Sequence, residues 1–569
     1  MSTLQERIQP ALAARSSSLE PSALLKPEDL ASLPLNVLPV PRSCGLLTDL
    51  ELDLTENLDA HGSTADAGQA TSYRSGTSYC VQEAGYDCTA MCKSSWTSPP
   101  CYHYGAAEAA WQIAHQVTQT NCLTELVSQA IDDAKACDEY LARTGHTMGP
   151  LHGLPISVME QIAVSGLCTN AGFVALVKNL SAEDANVIQS LKRLGAVVFA
   201  RTNQSRSLMH LETSNNIYGA TVHPMNRKLT AGGSTGGEAA LMAMKGSPLG
   251  VGGAIRVPAA LNGIYGLLPS PGRISGEGVM THTSGCGSIV GTLGPFARSL
   301  RDLECFCKAY SSSSPWIEDI FLFPSDILSP AIGRQLDPSA SLRVGILFDD
   351  GVVSPLPPIR RVMDKVRSRL RCKASVQVKT FTPWDHAKAW RIVASNYFED
   401  TSAEIRKTCY AGSKSLEHFT EWILNERETS DSQAGSTLQT QRATRDAFRR
   451  LYAAHWRRAD VDVIVSPVTP STAPPLGTSR YWGYSAIWNL LQYTAVAIPA
   501  AALVGEGNGA QDLAKEVYEP KNETEAQIYR QYSAATSERM PVGIQVVAPR
   551  LHESLVMAAA RIIEEALKA

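Results

Sequence analysis

Ten of the 42 residues from Leu229 to Ser270 are glycine, and they fall in groups. Gly232, Gly233, Gly236 and Gly237 come first, then Gly246, Gly250, Gly252 and Gly253, then Gly263 and Gly266. Glycine at this density marks backbone that must approach another segment closely or take a positive φ, since a Cβ would forbid either. Between the first two groups lies E-A-A-L-M-A-M-K, Glu238 to Lys245, a run of strong helix formers. The pattern predicts a tight Gly/Ser loop, a short helix, and a second tight loop carrying Ile255-Arg256-Val257-Pro258. Gly232-Gly233-Ser234-Thr235-Gly236 formally fits a G-x-S-x-G elbow, but that motif needs an apolar strand before it, and H-P-M-N-R-K-L-T-A reads as none. No G-K-[ST] follows, so the loop is not a phosphate cradle.

A second motif lies upstream, Gly153-Leu154-Pro155-Ile156-Ser157-Val158-Met159-Glu160. Leu154 to Val158 reads as a short apolar strand delivering Met159 at its end, where α/β folds place chemistry. Together the two stretches resemble the amidase signature family. Its pattern runs G-[IL]-P-x-[SA]-x-K-[DE], then G-G-S-S-G-G-E, a short helix, G-x-D-x-G-G-S-I-R-x-P-A and G-x-Y-G-L-K-P. The resemblance extends from about Asn121 to the C-terminus and includes Arg201-Thr202-Asn203, the Gly294-Pro295-Phe296-Ala297-Arg298 turn and Pro541-Val542-Gly543-Ile544-Gln545. It implies an α/β fold with a central mixed sheet covered by helices on both faces. It also implies carboxamide C–N hydrolysis by a Ser–cisSer–Lys triad. There a neutral lysine draws a proton through a bridging serine from the nucleophile, while backbone N–H groups hold the oxyanion.

The chain departs from that pattern where the chemistry sits. Met159 occupies the lysine position and Ala254 the nucleophile position. The loop from Gly250 to Gly253 is about four residues short in the oxyanion-hole region, Gly252 and Gly253; Ser234, at the bridging position, keeps its type. A thioether is a weak acceptor and no base. Glu160 is expected to orient the site, Thr235 to make a structural hydrogen bond, Ser247 to belong to a turn, and Arg256 to pair with a buried carboxylate. The neighbourhoods of Trp488, Tyr493 and Cys286 are expected to line a pocket for a small, aryl or aliphatic amide.

Composition narrows the rest. Fifty-one basic against 55 acidic residues, with no long block of one sign, suggests no nucleic-acid partner. No apolar run reaches a membrane span and the N-terminus has no signal-like apolar region, so a soluble, cytoplasmic protein is expected. Thirteen cysteines, an odd number, favour reduced thiols. His103, His152, His210, His223 and His282 lie at no metal-binding spacing, and no cofactor or metal is expected. The expected partner is a small-molecule amide or amide-like ligand, with a homodimer as one option.

The order along the chain is read as an N-terminal helical extension over 1–60, an irregular cysteine-containing insertion or loop over 61–104, and the main domain over 105–569. The middle piece holds no Leu or Ile and a single Val, so it cannot bury much surface. Helices are expected from Ala106, over Thr124–Arg143, Asp184–Leu194, 356–371 and 386–427, with strands at Ala196–Ala200, Leu342–Leu347 and Val461–Pro467, and a polar loop over Glu428–Gln439. The function expected is that of an amidase-lineage protein impaired in catalysis by Met159 and Ala254. Two alternatives stand beside it: a non-catalytic binding or regulatory pseudoenzyme, and an active amidase whose sequence carries misplaced exon boundaries.

Overall fold

The computed structural model describes residues 117–281, 287–329, 341–397, 403–411, 418–432, 437–503, 519–533, 537 and 539–569. The segments assigned to 1–60 and 61–104, and the start of the helix expected from Ala106, lie outside these residues.

Eleven strands form the central sheet: β1 (Leu123–Leu126), β2 (Pro155–Met159), β3 (Val197–Thr202), β4 (Leu249–Gly252), β5 (Tyr265–Leu268), β6 (Gly294–Ala297), β7 (Leu342–Ile346), β8 (Val376–Thr380), β9 (Val463–Pro467), β10 (Thr494–Ile498) and β11 (Ile544–Ala548). Their order is β1-β3-β2-β4-β6-β5-β10-β11-β9-β7-β8. The pairs β3–β2, β2–β4, β9–β7 and β7–β8 are parallel, and the other neighbours antiparallel. This is the mixed sheet that the motif order implied.

The inner strands are largely buried on both sides because helices cover both faces. On β10, Val496 and Ile498 join the core of one face while Ala495 and Ala497 join the other. The first face carries α1 (Ala130–Thr144) and α2 (Asn186–Arg193). The second carries α3 (Gly236–Ala243) and α4 (Arg256–Asn262). Further along the chain, α5 (Leu300–Ser312) and α6 (Pro357–Cys372) return to the first face. Next, α7 (His386–Asn396), α8 (His418–Ser432), α9 (Leu438–Ala459) and α10 (Gly483–Leu491) build an aromatic-rich layer on the second. The chain closes with α11 (Glu523–Gln531) and α12 (Glu553–Lys568), the latter again on the first face. Among the described residues no helix is long and apolar enough to cross a membrane.

Three expectations change. Leu123–Leu126 is an edge strand, not the first turn of a helix. It pairs antiparallel with β3, and Glu125 meets Arg201 at 2.7 Å. The helix begins only at Ala130. The polar stretch after Glu428 is not simply a loop: α8 runs to Ser432, and α9 starts after Thr437, whose hydroxyl accepts from Thr440 N. Composition alone does not give this, since Glu428–Gln439 is mostly Ser, Thr, Asp, Gln and Gly; its two ends continue the flanking helices. Finally, Asn226–Thr230, before the Gly/Ser loop, is a strand, but it pairs with Val222–His223 in a separate two-stranded sheet. It is not the central strand that a nucleophile elbow needs.

Candidate active site

β2, β4 and α3 meet where the two glycine-rich motifs converge. β4 alternates Leu249 and Val251 into one core with Gly250 and Gly252 toward α3. A Cβ on Gly250 would lie under 3 Å from Glu238 Oε1, and one on Gly252 under 3 Å from Thr235 Cγ2. The spacing of these glycines therefore sets how closely α3 lies on the sheet. Gly232 has φ +81°, a backbone state that side chains resist. The loop is clamped by Thr213, whose hydroxyl donates to Gly232 O (2.9 Å) and Ser234 O (3.1 Å) and accepts from Gly236 N (2.7 Å). The Gly233–Ser234 peptide is cis.

Met159 ends β2 fully buried, in register with Thr202 on β3. Thr235 stands at the N-terminus of α3, yet its hydroxyl does not cap the helix. It donates to Met159 Sδ at 3.2 Å and accepts from Ala254 N at 3.1 Å. One hydroxyl thus links residues 159 and 254. Ser234, 2% exposed, sits beside it, and its own hydroxyl has no hydrogen-bond partner among the described residues. Gly252 is the last residue of β4, opposite Gly294 of β6. Gly253 lies between strand and helix, where a Cβ would come 3.4 Å from Gln161 Nε2. The structure therefore gathers Met159, Ser234, Gly252, Gly253 and Ala254 around the N-terminus of α3.

The surrounding frame is polar and buried. Glu160 accepts from Asn170 N (2.8 Å), Ala171 N (2.9 Å) and Gln204 Nε2 (2.6 Å), with Arg201 Nη2 at 3.6 Å. Burial raises its pKa against the opposing pull of Arg201 and the two amides. These three bonds hold the turn after β2. Glu238 accepts from Ser157 Oγ and, at 2.9 Å, from Thr202 Oγ1. Burial pushes its pKa up to about 7 despite both bonds. Ser247 Oγ donates to Leu249 O at 2.8 Å, a turn contact as expected.

Arg256 differs from expectation. It finds no carboxylate: its guanidinium donates to Gln545 Oε1 (3.1 Å), Ser485 O (2.9 Å) and Asn489 Oδ1. Burial without a counter-charge brings its pKa down to about 9. It still ties α4 to α10 and β11. Trp488 and Tyr493 are core residues, 0% and 8% exposed and stacked at 6.4 Å, not open pocket walls; Cys286 lies outside the described residues. Sequence reasoning passed over Gln161. It is 6% exposed, its backbone N is held by Gln204 Oε1 at 3.0 Å, and its Oε1 has no partner. Its place directly after Glu160 was the one signal available.

The family model for amidases matches residues 107–557. A putative amidase of Schizosaccharomyces pombe is 35% identical over 96% of this chain and 97% of its own length. The acetamidase of Emericella nidulans is 30% identical over 92% of each chain. Among solved structures, a fatty acid amide hydrolase superposes with a TM-score of 0.75 at 27% identity, covering 100% of this chain and 95% of that one. The sheet, the converging glycine motifs and these matches together establish that the chain belongs to the amidase family.

Proposed function

We propose that this protein keeps the amidase scaffold and binds a small amide, without hydrolysing it by the Ser–Ser–Lys route. One observation carries the reading: the Thr235 hydroxyl is bonded to the Met159 thioether and to the Ala254 N–H. The family's proton path, through the bridging position Ser234, would run between the same two residues, 254 and 159. Here it ends on a sulfur that cannot take the proton and starts at a methyl group that has none to give. The Ala254 N–H, a neighbour of the expected oxyanion donors, is already engaged. Loss of a nucleophile or a base alone costs about 10⁴- to 10⁶-fold in rate, and both are lost here. A ligand amide remains recognisable: Gln161, whose side-chain nitrogen lies beside Gly253, has an unpartnered carbonyl oxygen that is complementary to an amide N–H.

Saturation-transfer NMR with acetamide, hexanamide and an anilide tests the binding, and ammonia or aniline release under the same conditions tests turnover. Binding that Gln161→Ala weakens, with no release above buffer, is the expected result. Turnover removed by Ser234→Ala would contradict it.

A further inference from the structure

One cleft is lined by none of Met159, Ser234 and Ala254. It has a volume of about 50 Å³ and opens between α4, the segment after β9 and the C-terminal end of α11. Its floor is apolar: Val257 and Leu261, one helical turn apart on α4. Arg480, Gln531 and Ser471 are among its polar lining residues. No acidic side chain is among the lining residues.

The backbone around Arg480 is fixed while its head group is not. Glu212 accepts from Gly477 N, Thr478 N and Ser479 N, each at 2.9 Å, and so holds the turn immediately before Arg480. Tyr481, immediately after, donates to Asp350. The Arg480 guanidinium itself makes no hydrogen bond, ion pair or ring contact among the described residues. Ser479 Oγ, at a residue 9% exposed, lies beside the Glu212 carboxylate, its partner within the chain.

We propose that this cleft binds a small organic anion, a short-chain carboxylate. The carboxylate would take the paired N–H groups of Arg480, with the Gln531 amide and the Ser471 hydroxyl as further donors. The alkyl end would lie on Val257 and Leu261. The volume admits a ligand of only a few heavy atoms. The site is independent of the amide-binding reading, and either can fail without the other.

The test is thermal unfolding with sodium acetate, propionate and butyrate, against sodium chloride at equal ionic strength and against propionamide. Arg480 is exposed and has no partner among the described residues, so Arg480→Met should unfold at the wild-type temperature without ligand. The expected result is a saturable stabilisation by propionate that neither chloride nor propionamide gives, with affinity falling about tenfold or more in Arg480→Met, the loss of one charge-assisted pair. Absence of saturable stabilisation by all three carboxylates, equal stabilisation of Arg480→Met, or an equal effect of propionamide would overturn the proposal.

Discussion

Glu238 offers the sharpest quantitative test of how the candidate site is built. Its carboxyl is fully buried between α3 and the sheet, with two hydroxyl donors and no cation. Burial lifts its pKa from an ordinary 4.5 to about 7. Below pH 4.5 the group is protonated in the folded and unfolded chain alike, and its full stability contribution is present. Between 4.5 and about 7 the unfolded chain ionises while the folded one holds its proton, so stability falls as pH rises; above about 7 the loss is complete. At ~1.4 kcal/mol per pH unit the interval corresponds to about 3 kcal/mol. Glu238→Gln removes the titration and keeps groups that can bond Ser157 and Thr202. Urea unfolding of both proteins, below 4.5 and above 7, isolates this group by double difference. The variant should gain about 3 kcal/mol on wild type across that range. A pH-independent difference would mean that Glu238 ionises normally in the folded protein and that the packing of α3 on Gly250 has been misjudged.

Other consequences follow from the same geometry. Gly250→Ala should cost ~1–3 kcal/mol in urea unfolding through overpacking against Glu238, while Gly253→Ala, with its nearest atom at 3.4 Å, should stay within about 0.5 kcal/mol. Arg201→Met strands the buried Glu160 carboxylate and should cost ~3–5 kcal/mol, whereas Arg256→Met, which leaves only neutral acceptors, should cost ~1–3 kcal/mol; the same unfolding series checks the order. Thr235→Ala should lose about 1 kcal/mol, and Thr235→Ser should recover most of it, because the hydroxyl and not the methyl makes the two bonds.

Much of this was legible in the chain because it is local. The strand ending at Met159 and the helix formers after Gly237 each lie within a few consecutive residues, and the structure uses them as read, whereas Gly250 to Gly253, read as a loop, runs as the strand Leu249–Gly252 up to Gly252. What was not legible depends on partners far away in sequence. β1 is a strand only because β3 lies beside it 76 residues later. Arg256 meets Gln545 and Asn489, more than 230 residues on, and no local pattern says that these partners are neutral. The bridging of Met159 and Ala254 by Thr235 is likewise a tertiary fact, since the residue's type alone suggested only a structural bond. The Arg480 cleft joins three distant segments and left no motif at all.

The central claim is that the scaffold survives without its nucleophile, and reaction with a fluorophosphonate serine-hydrolase probe, followed by peptide mapping, tests it most directly. The account predicts no adduct on any serine, with the G-V-G-G-A-I-R sequence of residues 250–256 confirmed in the same spectra. An adduct on Ser234 or Ser247, or additional residues between Gly250 and Gly253, would contradict it.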